Sequence, residues 1–136
     1  MKLLMIYCDK FSYTPQIKTL ESFPEVEKGE VYKDSLVAFI HAEEHDHEDP
    51  KAVETKLVKN LKWAAKKNNT KKVVLHSFAH LSESKADPNF TKEIFDLAEA
   101  RMNNADYQCS QTPFGYFLDI DVQAPGISQA RIFKGF

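Results

Sequence analysis

Two stretches of the sequence concentrate side chains that can do chemistry. The first, residues 76–83, reads His-Ser-Phe-Ala-His-Leu-Ser-Glu. A neutral imidazole near pH 7 can donate, accept or shuttle a proton, so His80 is the candidate general base. Ser77 and Ser82 add hydroxyl groups to the same stretch. The alternative interpretation is that His80 is an ordinary structural residue of a loop.

The second stretch, residues 41–49, holds His41, His45 and His47 among five acidic residues. Imidazole and carboxylate groups are zinc and manganese ligands, which makes a metal site one hypothesis. The spacing matches no compact zinc motif, however, and acids are favoured at the start of a helix by its dipole. We therefore expect a polar loop here, with no metal and no other cofactor.

Strands and helices must position these two stretches, and the pattern of apolar residues and helix-capping residues predicts where those elements lie. Apolar runs predict strands at 2–8, 11–16, 31–41, 72–76, 106–112, 115–123 and 129–134, with the first two paired across a turn. Asp-Pro pairs predict helix starts at Asp49 and Asp87, and Asn-Asn pairs predict the ends at 68–69 and 103–104. The residues predicted to be buried in the second helix are Phe90, Ile94, Leu97, Ala98 and Met102.

This order predicts one α/β domain over residues 1–136, with mixed β-sheets, two helices on one face and a C-terminal run of antiparallel strands. The other sheet face needs cover, either from the terminal strands or from a second subunit. In open α/β sheets, ligands bind beyond the carboxyl ends of the strands. Because His80 follows the strand at 72–76, we expect it at that edge.

Composition excludes several classes of protein. With 43% hydrophobic and 28% charged residues, the chain is not of a disordered type. No apolar run approaches the roughly 20 residues that cross a bilayer, and the apolar start is too short for a signal peptide. We expect a soluble, cytoplasmic protein that uses no membrane. Cys8 and Cys109 show no disulfide or zinc spacing, and glycine-rich phosphate loops and common hydrolase signatures are missing.

Charge is unevenly distributed, although the net charge is only −2. Residues 51–72 carry eight lysines against one acid, Glu54. On the predicted helix, Lys59, Lys62 and Lys66 share one face. This face is either a solvated surface or a surface that meets a polyanion such as RNA.

A third stretch, residues 112–119, is a turn between strands that carries three aromatic residues and favours hydrophobic packing. Taken with the first stretch, it points to a family. A strand followed by S-F-A-H-L-S (residues 77–82) and later by P-F-G-Y (residues 113–116) resembles the archaeal-type N-terminal editing domain of threonyl-tRNA synthetase. The similarity spans nearly the whole chain and includes Tyr7-Cys8-Asp9, where the family usually has His-Ser-Asp.

The resemblance implies a D-aminoacyl-tRNA deacylase-like fold, a homodimer, and hydrolysis of the ester of serine mischarged onto threonine tRNA. The substrate would be bound at the 3′ end of the tRNA, and a threonyl-tRNA synthetase lacking an editing domain is the implied partner of a free-standing relative. His80 matches the histidine of the family motif. The substrate contacts that the resemblance implies are Ser77, Ala79, Tyr116, Phe117, Leu118 and Gln129.

The sequence departs from the family pattern at polar positions. The family proline is Ser77 here, and a tyrosine and a lysine that meet the substrate are Phe117 and Leu118. The nearest counterpart of a family glutamate is Gln129. Loss of an oxyanion donor typically costs about 2.7–4 kcal/mol. Two hypotheses follow, a divergent deacylase and a catalytically inactive module that binds a small ligand or a protein.

Overall fold

A six-stranded mixed β-sheet organises the computed structural model, which describes residues 1–136. The strands are β1 (Lys2–Lys18), β2 (Glu30–His41), β3 (Lys72–Ser77), β4 (Gln108–Gln111), β5 (Tyr116–Gln123) and β6 (Arg131–Gly135). The helices are α1 (Pro50–Lys67) and α2 (Pro88–Asn104), with short 3₁₀ turns at Glu44–Glu48 and Ser128–Ala130. The strand order is β4-β3-β2-β1-β5, and β6 also pairs with β1.

Strand β1 corrects one prediction. Residues 2–8 and 11–16 do not pair across a turn, because they belong to one continuous strand that is antiparallel to β2 along its length. The intervening residues Asp9 and Lys10 supply neither glycine nor proline to make a tight turn. Instead, the alternation of side chains changes phase, so that Cys8 and Phe11 pack in the same cluster. Asp34, opposite Asp9 in the register, adopts a positive φ of 51°.

The C-terminal strands extend the sheet at its edge. β5 is antiparallel to residues 10–18 of β1, and β6 is antiparallel to residues 2–6. The terminal strands therefore do not fold over the open face, which was one of the two predicted covers. β4 differs from the predicted antiparallel run because it pairs parallel to β3.

Both helices begin and end where the sequence predicts. The carboxylate of Asp49 accepts a hydrogen bond from the N–H of Ala52 (3.1 Å), and that of Asp87 accepts from Asn89 (2.8 Å). These caps satisfy amide groups that have no partner inside the helix. In α2 the prediction for Leu97 is wrong, since its side chain is 44% exposed. The buried stripe instead runs through Ile94, Phe95, Ala98 and Met102.

The two faces of the sheet differ. The larger core cluster lies between the helices and the sheet, and a smaller cluster around Phe11, Val37 and Phe39 lies on the opposite face. β2 is buried on both faces from Ser35 to Ile40, as expected for a central strand. Neither helix combines the length and the apolar character that crossing a bilayer requires.

Candidate functional site

A cavity of about 390 Å³ opens beyond the carboxyl ends of β2 and β3. Its volume lies in the range of small-molecule sites. Parallel pairing of Phe39 with His76 and of Ile40 with Ser77 brings both strand ends to the same edge. The lining includes Ser77, Ala79, His80, Tyr116, Phe117 and Leu118. The structure thus brings together His80 and all the predicted substrate contacts except Gln129.

The loop that carries His80, residues 78–87, is tied to the end of β2. The Nδ1 atom of His41 accepts a hydrogen bond from the N–H of Leu81 (3.0 Å), and its Nε2 atom lies 2.6 Å from the carbonyl oxygen of Ser84. This pattern requires the neutral tautomer with the proton on Nε2. The N–H groups of Phe78 and Ala86 donate to the carbonyls of Ile40 and Ala42 (2.9 and 3.1 Å).

A buried carboxylate strengthens the same attachment. Ser82 donates to Glu43 (2.7 Å), whose other oxygen lies 3.0 Å from the α-ammonium of Met1 and 3.2 Å from the Lys2 ammonium. Burial by itself would raise the pKa of Glu43. The hydrogen bond from Ser82 and the ion pairs with the α-ammonium and Lys2 outweigh burial and lower this pKa to about 2. The loop is therefore anchored to a carboxylate that stays ionised at all moderate pH values.

Two groups of the loop stay free for chemistry. The side chain of His80 is exposed, packs edge-on against the Phe78 ring (5.0 Å between centroids) and hydrogen-bonds to no protein group. The N–H of Ala79 also donates to no protein acceptor. Both residues line the cavity. An unpartnered imidazole and an unpartnered amide at one cavity can serve as a proton acceptor and as a donor to an oxyanion.

The aromatic turn at 113–118 forms the opposite wall. Gly115 has a positive φ of 83°, a conformation that glycine adopts without strain. Its carbonyl accepts from the N–H of Thr19 (2.7 Å), which ties the turn to the end of β1. The Tyr116 hydroxyl accepts from the N–H of Val26 (3.0 Å), and the Phe114 ring packs on Phe23. These contacts fix the wall that faces the His80 loop.

His76 lies at the inner side of the cavity. Its Nδ1 atom is 2.9 Å from the Thr112 hydroxyl, and its ring packs edge-on against Phe39. Burial lowers the pKa of His76 to about 4, so the imidazole is neutral at pH 7. The His76 imidazole is therefore a neutral part of the cavity wall near neutral pH.

Comparison of this sequence with known protein families identifies the family of the chain. The sequence profile described as the archaea-specific editing domain of threonyl-tRNA synthetase matches residues 1–136. The chain belongs to this editing-domain family. Its relatives include the threonine–tRNA ligase of Methanopyrus kandleri, 31% identical over 86% of the chain. The corresponding ligases of Nitrosopumilus maritimus and Pyrococcus horikoshii are each 30% identical over 98% of the chain.

The chain spans only about a fifth of the length of these relatives, between 19% and 22%. Among solved structures, the protein titled c-Myc DNA Unwinding Element Binding Protein superimposes with a TM-score of 0.67, covering 100% of this chain and 99% of its own. At 9% sequence identity this likeness shows a shared fold. The predicted D-aminoacyl-tRNA deacylase-like α/β fold is confirmed.

The structure shows what replaces the polar side chains of the editing-domain pattern. Leu118 is half-buried against the cluster around Phe39, and Phe117 is 56% exposed at the cavity. Neither side chain offers a hydrogen-bonding group. The polar groups that face the cavity therefore come mainly from the loop after β3 and from His76.

Gln129 lies away from the cavity. Its carbonyl accepts from the amide of Asn68 (2.9 Å), and its own side chain donates to the carbonyl of Lys67 (3.3 Å). These contacts hold it beside the end of α1, close to where β3 begins, whereas the cavity lies where β3 ends. Gln129 is consequently not part of the site that we propose below.

The three histidines of residues 41–49 do not converge. His41 is bound to the loop after β3, His45 lies 3.3 Å from Asp46, and His47 accepts from the N–H of Asp87 (3.1 Å). The structure contains no group of three or more His, Cys, Asp or Glu side chains that could hold a metal ion. These three histidines therefore do not together form a metal site in this structure.

Sequence reasoning missed the structural role of His41 and the presence of His76 in the cavity wall. For His41 the sequence suggests a metal ligand or a residue of a polar loop, although it ends a buried strand. A polar residue at such a point must find a partner in a neighbouring loop, and that expectation was available from the sequence. The pairing of His76 with Thr112 joins residues 36 apart, so it depends on the parallel placement of β3 and β4.

We expect His76 to make stability fall in mild acid. Its pKa is lower in the folded chain than the usual 6.5, so the unfolded chain binds the proton more readily. The stabilisation is complete above pH 6.5 and is lost as pH falls toward 4. Between pH 7 and 4.5 the loss is about 2 kcal/mol. Urea unfolding of wild type and of His76→Phe across this range measures it.

The comparison is made as a difference between the two proteins, because all other titrating groups are common to both. His76→Phe keeps the aromatic packing on Phe39, so both proteins are expected to fold at pH 7. Parallel stability curves for wild type and variant from pH 7 to 4.5 would show that burial of His76 carries no proton linkage.

Proposed function

We propose that the protein hydrolyses the ester of a mischarged aminoacyl-tRNA, with seryl-tRNA for threonine as the type of substrate. The observation that supports this most directly is the cavity that holds both the free His80 imidazole and the free Ala79 amide. Membership of the editing-domain family supports the same chemistry. A synthetase site that accepts threonine cannot strongly exclude a slightly smaller amino acid, so a second, hydrolytic site supplies the missing discrimination.

The reaction requires three functions from the cavity. His80 positions a water molecule and accepts its proton as the water oxygen bonds to the ester carbonyl carbon. The Ala79 N–H stabilises the negative charge that develops on the carbonyl oxygen. The bond between that carbon and the ribose oxygen then breaks, and the ribose oxygen takes the proton. The products are the free amino acid and a tRNA with an intact terminal hydroxyl.

A second function, a binding module without catalysis, is favoured by one observation. Leu118 fills with an apolar side chain the position at which the family pattern has a substrate-contacting lysine. Such a cavity can still bind a small ligand or a peptide through Ala79 and Ser77. The two functions differ in whether wild-type protein releases any amino acid from tRNA.

The open face of the sheet supports a homodimer. Strand register places Phe133 beside Leu4, and Val122 beside Phe11, on the face away from the helices. On this face Ile120, Val122 and Phe133 are 41%, 38% and 55% exposed. An apolar strip of this kind usually marks an interaction surface. We infer that a second copy of the chain covers this strip. A second subunit is the other cover that the sequence predicts for this face of the sheet.

The outer face of α1 supports contact with RNA. Its single acidic residue, Glu54, is buried and paired with Arg101 (2.6 Å) and Lys51 (3.4 Å), so no carboxylate of α1 pairs with the other lysines of the helix. Lys59 and Lys66 are exposed and Lys62 is half-buried. They lie about 14–24 Å along the helix from its start. Helix α1 follows the 3₁₀ turn that comes after β2, and the end of β2 lines the cavity. A tRNA whose 3′ end occupies the cavity can extend along this face.

The proposal includes a partner enzyme. A threonyl-tRNA synthetase without an editing domain of its own would produce the mischarged tRNA that this site removes. Its presence would make the reaction useful, because the correcting step would otherwise be missing.

His80→Ala is expected to slow release of serine from seryl-tRNA for threonine by at least about a hundredfold, since a proton acceptor contributes roughly that much or more. Single-turnover assays with radiolabelled serine measure the rate. Because the His80 side chain is exposed and unbonded, the variant should fold normally. His45→Ala, which removes an exposed histidine outside the cavity, is the matched control and should retain the wild-type rate.

Two results would contradict the enzymatic proposal. Equal rates for wild type and His80→Ala would remove His80 from the reaction. No release by the wild type from a panel of aminoacyl-tRNAs would favour the binding module instead.

Replacing Lys59, Lys62 and Lys66 together by glutamine should weaken tRNA binding at least about tenfold. It should also reduce the magnitude of the slope of log K against log salt by about 2 to 3, because each of the three lysines neutralises a phosphate. Filter binding at several salt concentrations measures both. The matched control replaces Lys10, Lys28 and Lys33, which form no ion pair within 4.0 Å. An equal loss in both triple variants would show that only net charge matters.

Phe133→Glu should convert the dimer to a monomer, because it places a charge in the apolar strip. Sedimentation velocity at micromolar concentrations measures the assembly state. The control is Val31→Glu. Val31 is also exposed (60%), but its side chain lies on the face of the sheet that carries the helices, so this variant should leave the dimer intact. A monomeric wild type would refute the dimer proposal.

A further inference from the structure

The cavity that holds His80 contains no carboxylate in its lining. Its titratable lining residues are three histidines, one tyrosine and Lys85. The hydrogen bonds of His41 require a neutral ring, and burial keeps His76 neutral at pH 7. Lys85 is therefore the one permanent charge at the cavity near neutral pH.

The ammonium group of Lys85 is free. It forms no hydrogen bond with the protein and no ion pair within 4.0 Å, although acidic residues surround its loop. One oxygen of the Asp87 carboxylate caps α2 by accepting from the N–H groups of Asn89 and Phe90. Glu44, Glu48 and Asp87 line a neighbouring shallow depression with Lys85, but none of them lies within ion-pair distance of its ammonium group. A free cation beside a cavity without carboxylates attracts an anion.

The backbone on each side of Lys85 is fixed. The Ser84 carbonyl oxygen is held by His41 (2.6 Å), and the Ala86 N–H donates to Ala42 (3.1 Å). The side chain is exposed and projects from this anchored segment. His80 and Lys85 thus lie five positions apart on one anchored loop, and both line the same cavity. One ligand can therefore contact both.

We propose that Lys85 binds the 5′-phosphate of the terminal nucleotide of the RNA substrate, while the aminoacyl group on the same ribose lies at His80. This assignment rests on the proposed function, because it takes an aminoacyl ester on RNA as the ligand. The ester oxygen and the 5′-phosphate lie at opposite ends of one ribose, which matches a cation and an imidazole at two points of one cavity. Lysine binds phosphate as a mobile point charge.

The test uses a stable amide analogue, 3′-deoxy-3′-(serylamino)adenosine, with and without a 5′-phosphate. Isothermal titration calorimetry at low salt should show that the wild type binds the phosphorylated probe at least about tenfold more tightly. Lys85→Gln should bring the two affinities within about twofold of each other, and Lys85→Arg should keep most of the difference. Lys33→Gln changes a lysine in the half of β2 that lies away from the cavity. This variant should preserve the full difference in affinity between the two probes.

Three results would overturn the assignment. The first is equal affinity of the wild type for both probes, which includes no detectable binding of either. The second is a preference for the phosphorylated probe that survives in Lys85→Gln. The third is binding of inorganic phosphate alone as tight as that of the phosphorylated probe. The last result would indicate a site for a free anion.

The assay separates this assignment from the proposed function, since the amide probe is not hydrolysed. A Lys85-dependent preference without hydrolysis of any aminoacyl-tRNA would contradict the enzymatic proposal and leave the phosphate site intact. Hydrolysis of seryl-tRNA without such a preference would contradict the phosphate site alone.

Discussion

The attachment of the loop after β3 to the end of β2 is the constraint on which the site depends. His41 holds this loop at two backbone positions, and the Glu43 carboxylate receives Ser82 while paired with two ammonium groups. Polar groups in a buried network are costly unless every member finds a partner. Such a network therefore has few alternative arrangements, and it fixes where His80 and Lys85 can lie.

Hydrogen bonding within the protein distinguishes the polar groups that hold the structure together from those that are free to meet a ligand. His41 and His76 are engaged in hydrogen bonds with the protein, whereas the ring of His80, the amide of Ala79 and the ammonium of Lys85 have no protein partner. All three free groups face one cavity on a rigid support. A site built in this way can orient a ligand without reorganising itself, which is what electrostatic stabilisation of a transition state requires.

The two faces of the sheet are covered differently. One face is covered by α1 and α2 and forms the main core, and the lysines lie on the outer side of α1. The other face leaves an apolar strip exposed around Phe133 because β5 and β6 extend β1 at its edge. The basic helix face is separate from the cavity, whereas Ile120 belongs both to the apolar strip and to the cavity lining. The second copy that we propose would therefore lie beside the cavity.

Local signals in the sequence determined the helices, the central strand and the approximate place of His80. Asp-Pro caps and the periodic burial of α1 act over a few residues, so they are readable without a fold. Tertiary structure alone decided that β1 is continuous, that β4 runs parallel to β3, that Leu97 is exposed and that Gln129 lies away from the cavity. It also placed His76 against Thr112 and left Lys85 unpaired. These outcomes depend on strand register and on contacts between residues distant in the chain, and no local pattern encodes such contacts.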